Sequence, residues 1–194
     1  MEPHLILTGP SGCGKSSLIR AALGEKLSQA GGFVTKLSAG EDGSLLGLEL
    51  LPAAAAGGVE GYLPRRVLDF TLSPPKTDNE VYRQYGVQLL EEAAWYPFAV
   101  LDEFGGFELI IPQFREALFG FLRSEQPCIG VLKDEQEAEL LRSWLGLGER
   151  YSGFSRQLRE LLAADENTRL LVIDEPGDSQ AALTVAAWAA EYTR

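Results

Sequence analysis

Short continuous apolar runs alternate along this chain with stretches whose apolar residues recur every three or four positions. HLILT (His4–Thr8) reads as a buried strand, and a helix follows from about Lys15 toward Ala30, with Leu18, Ala22 and Leu27 near one face. Gly24 weakens that helix, and Gly31–Gly32 stops it. GGFVTKL and LLGLELL are strand-like and flank the turn-rich AGEDGS, as a hairpin would. PAAAAGGVEG (Pro52–Gly61) reads as a loop, YLPRRVLDFTL holds a further strand, and SPPKTD (Ser73–Asp78) is a turn.

Thr77 and Glu80 have the spacing of a capping box, and Val81, Tyr85, Leu89 and Ala93 then repeat every four residues on one helical face. Pro97 ends that element and FAVLDE is a strand. Pro112–Ser124 reads as a helix burying Phe114, Leu118, Phe121 and Leu122. CIGVLK is the next strand. Asp134 and Glu137 can cap a helix carrying Leu141, Trp144 and Leu145. Ser155–Ala164 is helical, RLLVID is a strand, and Asp178 starts a final Ala-rich helix. Helices alternating with nearly continuous apolar strands predict an α/β fold: a mostly parallel central sheet with helices on both faces. The less regular region 31–72 reads as a β-hairpin or antiparallel addition. At 194 residues the chain has the length of one domain, 1–194.

The formal net charge of −11 argues against a nucleic-acid or acidic-membrane surface. No apolar run nears the roughly 20 residues that span a bilayer, and MEPHLILTGP lacks the basic start of a signal peptide. We therefore expect a cytoplasmic protein. Cys13 and Cys128 show no metal spacing and read as free thiols. His4 is the only histidine and reads as a strand-edge residue, which leaves no two-histidine metal site.

Against that acidic background one segment is built for an anion. Gly9-Pro10-Ser11-Gly12-Cys13-Gly14-Lys15-Ser16 fits G-x-x-x-x-G-K-[ST], with a strand before it and a helix after it. Its glycines let successive N–H groups face one concavity, and the helix N-terminus adds partial positive charge. Lys15 can reach the β- and γ-phosphates, and the Ser16 hydroxyl can ligate Mg²⁺. Ser17 is placed to meet the α-phosphate or to cap the helix.

Such a loop works with a carboxylate at the end of a nearby strand, which orients Mg²⁺ while a following Glu positions water. Two acidic pairs follow apolar runs, Asp102-Glu103 and Asp174-Glu175. The second lies in a stretch that loosely resembles ABC-type ATPases, but L-S-G-G-Q appears as Tyr-Ser-Gly-Phe-Ser and no histidine follows. The first stands in Asp102-Glu103-Phe104-Gly105-Gly106-Phe107-Glu108-Leu109. That segment resembles the D-E-[IL]-G-x-x-E-L signature of the small P-loop nucleoside-triphosphatases that include cancer-related NTPase. Gly31-Gly32-Phe33-Val34-Thr35 resembles the family's G-G-F-x-T, and Glu166-Asn167-Thr168-Arg169 is a weaker echo of its E-N-R segment.

The resemblance implies a three-layer P-loop NTPase fold and a Mg²⁺-dependent enzyme that hydrolyses the γ-phosphate of ATP, GTP or related nucleotides. It makes Asp102 the metal-orienting carboxylate, Glu103 the base or water-orienting residue, and Glu108 a supporting group. Arg65, Arg66 and Arg115 are candidates to neutralise charge on the transferring phosphoryl group, each with a solvated surface role as the alternative. No N-K-x-D guanine motif occurs, which suits relaxed base choice; Tyr62, Tyr82 and Tyr85 could stack on a base or simply fill core. Two rival readings stay open at this point. One is a nucleotide or small-molecule kinase, since GPSG also opens guanylate-kinase loops; the other is a regulatory nucleotide-binding module without turnover.

Overall fold

The computed structural model describes residues 2–193. In chain order the strands are β1 (His4–Thr8), β2 (Ala30–Ala39), β3 (Leu45–Pro52), β4 (Arg65–Asp69), β5 (Lys76–Thr77), β6 (Phe98–Phe104), β7 (Cys128–Leu132) and β8 (Thr168–Val172). The helices are α1 (Lys15–Leu23), the single turns α2 (Ala53–Ala56) and α3 (Asn79–Val81), then α4 (Val87–Glu92), α5 (Pro112–Phe121), α6 (Glu135–Trp144), α7 (Glu149–Ala164) and α8 (Ser179–Tyr192). The described strands form one sheet in the order β5-β4-β3-β2-β6-β7-β1-β8. From β2 to β8 neighbours run parallel, and β2-β3-β4-β5 is an antiparallel extension.

Helices cover both faces, giving three layers. One core joins Leu5, Leu7, Val100 and Val131 of the strands to Ile19 of α1 and Val185 and Trp188 of α8. The other joins Ile6, Phe33, Leu101 and Phe104 to Leu89 of α4, Phe114 and Leu118 of α5, and Leu158 of α7. Central strands feed both, which is why they read as unbroken apolar runs.

Several local expectations are corrected. The first helix loses its regular turns at Gly24 and tightens into a 3₁₀ segment, Gly24–Gln29, while Gly31 and Gly32 lie inside β2. Pro52–Gly61 is only partly loop: Ala53 and Ala54 are buried in α2, and Gly57 after it approaches Leu27–Ser28 so closely that a Cβ there would lie 2.3 Å from the Ser28 nitrogen. Asp78, not Thr77, caps the next helix by accepting from the Glu80 N–H at 3.1 Å. That helix contains a π-type turn at Tyr82–Gly86. The extra residue rotates the apolar face, so Tyr82 and Gly86 are buried while Val81 and Tyr85 are only partly covered. His4 is not at an edge. β1 lies between β7 and β8, and the His4 ring is buried with Nε2 3.0 Å from the Gln126 carbonyl oxygen. Cys13 and Cys128 are both free and buried.

Candidate active site

Parallel strands deliver their C-terminal ends to one edge of the sheet, where open α/β folds place ligands. Here the ends of β1, β7 and β6 converge on a cleft of about 600 Å³. The glycine loop forms one wall. Gly9, Gly12 and Gly14 all have positive φ. Gly9 is the most constrained of them: a Cβ there would lie 2.0 Å from the Ile173 carbonyl oxygen at the end of β8. Ser11, Gly12, Gly14, Lys15, Ser16 and Ser17 line the cleft, whereas the Cys13 side chain packs into the α1–α8 core. The Lys15 ammonium folds over the loop, donating to the carbonyls of Gly9 at 2.5 Å and Pro10 at 2.7 Å, and lies 3.5 Å from Cys13 Sγ.

The Ser16 hydroxyl donates to Asp102 Oδ1 at 2.8 Å, which joins loop and acidic strand across 86 residues of sequence. Burial pushes the Asp102 carboxyl up; the bond from Ser16 and the Arg20 guanidinium, 3.8 Å away, oppose that. Regular alternation would send Leu101 and Phe104 to opposite faces, yet both enter the same core. The pairing of β6 with β7 slips by one residue at Glu103, so Asp102 and Glu103 both line the cleft. The Glu103 N–H donates to Thr35 Oγ1 at 3.3 Å, and its carboxylate accepts from Lys133 Nζ at 2.7 Å.

Glu108 is buried. Its Oε1 accepts from the N–H groups of Gly105 at 2.7 Å and Gly106 at 2.8 Å, pinning the turn that follows Glu103. The Tyr151 hydroxyl donates to the Gly105 carbonyl at 3.0 Å from the other side.

The three candidate arginines do not line this cleft. Arg65 lies over the Tyr85 ring at 4.2 Å, and Arg66 faces Glu49 at 3.5 Å. Arg115 donates to the Leu109 carbonyl at 2.9 Å and stacks on Phe154. Tyr62 and Tyr85 are also outside it, while the buried Tyr82 reaches its floor. Asp174 and Glu175 are exposed beyond β8, so that segment meets the loop through the Ile173 backbone and not through its carboxylates.

Sequence reasoning missed four charged residues of the cleft: Arg20, Lys36, Lys133 and Glu137. Arg20 follows Ser16 by one helical turn, a spacing that could have found it. Lys133 follows the strand between β1 and β6, so its place depends on the strand order. Glu137 sits in the first turn of α6 and accepts from the Ser11 N–H of the loop, a contact across 126 residues that leaves no local signal.

Among the described residues no helix is long and apolar enough to cross a membrane, and no three His, Cys, Asp or Glu side chains cluster as a metal cage. A search of curated proteins gave no significant match. Among solved structures the chain is similar to THEP1 from the hyperthermophile Aquifex aeolicus, with a TM-score of 0.60, 14% identity, and coverage of 98% of this chain and 99% of that one. At that identity the likeness speaks to the fold: the three-layer arrangement of a P-loop NTPase, with its mostly parallel sheet and antiparallel edge. The sequence of residues 4–152, well over half of the chain, matches a family described as NTPase, and the chain belongs to that family.

Proposed function

We propose that the chain hydrolyses the γ-phosphate of nucleoside triphosphates such as ATP and GTP, with Mg²⁺ bound and with relaxed choice of base. The observation that carries this reading is the 2.8 Å bond between Ser16 and Asp102, with Glu103 beside it in the same cleft. The loop amides and Lys15 hold the phosphates, Lys15 exchanging the Gly9 and Pro10 carbonyls for phosphate oxygens. A hydroxyl and a carboxylate are hard oxygen donors, and Mg²⁺ at nucleotide sites takes one or two such groups beside phosphates and water. Ser16 and Asp102 therefore fit it as holders. When bound, the ion neutralises charge on the phosphate oxygens. Glu103 accepts a proton from water as its oxygen attacks the γ-phosphorus in line with the departing bridge oxygen. Lys133 and Arg20 bring further positive charge to the cleft. With Arg65, Arg66 and Arg115 elsewhere, turnover by the isolated chain should be slow, since an arginine finger is worth about 10³–10⁵ in rate.

The test is phosphate release from ATP, GTP, CTP and UTP with Mg²⁺. Glu103→Gln should lower kcat by about 10²–10⁴ while nucleotide still binds. Glu175→Gln should behave as the unaltered protein. An active Glu103→Gln together with a dead Glu175→Gln would overturn the assignment. Nucleotide binding without turnover in the unaltered chain would favour a regulatory module.

A further inference from the structure

The cleft continues past Glu103, and there its lining turns apolar: Leu37, Leu48, Leu68, Phe70, Leu141 and Trp144. Leu37 pairs with Leu48 across β2–β3, and Leu48 with Leu68 across β3–β4, so three leucines form a row across the sheet. Phe70 and Trp144 stand together with ring centroids 5.5 Å apart. Leu68 is buried, and Leu48, Phe70 and Leu141 pack against the core, but Leu37 and Trp144 are 54% and 51% exposed, so the wall is the open margin of that core.

Strand order shows which side of the chemistry the wall is on. The phosphate loop leaves β1, Lys133 follows β7, Glu103 lies on β6, and the leucines lie on β2, β3 and β4 beyond it. Strands are about 4.8 Å apart, so the β1 and β6 axes are separated by roughly 10 Å, a gap that Ser16 of the loop spans to reach Asp102. A triphosphate lying on the loop amides with its γ end at Glu103 runs from β1 toward β6. Its nucleoside end then points back, away from β2–β4. The leucine row of the wall is on the far side of Glu103, and Trp144 of α6 joins it against Phe70; that is where an oxygen must stand to attack in line with the departing bridge oxygen. Water needs no apolar wall there.

We propose that the wall is an acceptor site for a small uncharged alcohol with an aromatic or aliphatic body, to which the γ-phosphoryl group is transferred. The six side chains of the wall carry no charge; Lys36, Lys133 and Glu137 line the same cleft, whose whole volume of about 600 Å³ would hold nucleotide and a small acceptor together. In the step, the acceptor oxygen bonds to the γ-phosphorus and the bond from that phosphorus to the β–γ bridge oxygen breaks. The hydroxyl proton passes to Glu103, and the products are a phosphate monoester and a nucleoside diphosphate. Water takes the acceptor's place when the wall is empty. This inference rests on the triphosphatase reading above.

The full chain with Mg²⁺ and ATP is incubated with 2-phenylethanol, indole-3-ethanol or 1-octanol, and phosphorus NMR separates ester from inorganic phosphate. We expect ester with at least one alcohol. Trp144→Ala should lower the ester-to-phosphate ratio by at least about tenfold and leave alcohol-free phosphate release near its original rate. Leu37→Ser, at an exposed position, should act the same way and guards against misfolding of the first variant. Absence of ester with all three alcohols overturns the proposal. So does a Trp144→Ala variant with a raised KM for ATP but an unchanged KM for inorganic tripolyphosphate, which would put the base on the wall. No phosphate release from ATP or tripolyphosphate without alcohol would instead sink the triphosphatase reading.

Discussion

Glu108→Ala should destabilise the protein clearly more than Glu108→Gln. The buried carboxylate accepts from two backbone N–H groups, Gly105 at 2.7 Å and Gly106 at 2.8 Å. Alanine leaves both donors without a partner, and each buried unsatisfied donor costs about 1–3 kcal/mol, or about 2–6 kcal/mol for the pair. Two effects reduce this. Burial holds the Glu108 carboxyl above its usual range, so keeping it ionised there already has a cost. The side chain also borders the cleft, from which water can reach the freed amides. We expect a loss of about 2–3 kcal/mol for alanine. Glutamine keeps an acceptor oxygen but replaces the second oxygen by an amide NH₂ that needs a partner of its own, so about 1 kcal/mol is expected. In urea unfolding with a slope near 3 kcal/mol/M, the alanine midpoint should fall by roughly 1 M and the glutamine midpoint by roughly 0.3 M. A folded-state pKa raised above 4.5 means that this group's stabilisation is complete below pH 4.5 and is lost as pH rises through the folded value. The alanine deficit should therefore be larger in acid than at neutral pH. An alanine variant within about 0.5 kcal/mol of the unaltered protein, or a glutamine variant less stable than alanine, would refute the pinning role.

His4 should give the opposite pH dependence. Burial lowers its pKa from 6.5, so its stabilisation is full above pH 6.5 and is lost as pH falls through the lower folded value. His4→Asn should flatten that acid slope in thermal melts, and an unchanged slope would count against it. Gly9→Ala forces a Cβ to 2.0 Å from the Ile173 carbonyl oxygen at φ 133°. Strain and overpacking together should cost about 2–6 kcal/mol, read as a large drop in melting temperature. A variant that melts normally and binds nucleotide would show that β8 does not back the loop tightly.

The parts of this fold that are legible in the sequence are those whose signal is local. β1, the glycine loop and α1 declare themselves by an apolar run, glycines and helical spacing, and the Asp134 cap by its side chain opposite the Gln136 and Glu137 N–H groups. The π-type turn at Tyr82–Gly86 was not legible, because its cause is tertiary. Tyr82 meets Phe114 edge-on with centroids 4.8 Å apart, and the same Phe114 ring presses where a side chain at Gly86 would stand. The cleft divides in the same way. Asp102 and Glu103 sit in a motif, whereas Lys133, Glu137 and the leucine row are assembled by strand order and register.

The family match ends at residue 152, yet β8 and α8 come later and enclose β1. Cutting the chain at that boundary would leave β1 as a bare sheet edge, with a row of N–H and C=O groups open to pairing with other chains. It would also remove Trp188, whose indole N–H donates to the Pro3 carbonyl at 3.0 Å and ties the last helix to the start of the chain. The stretch that defines kinship is thus shorter than the stretch that replaces the buried, apolar β1 at the edge by the more exposed β8, and a fragment made to the first measure should self-associate.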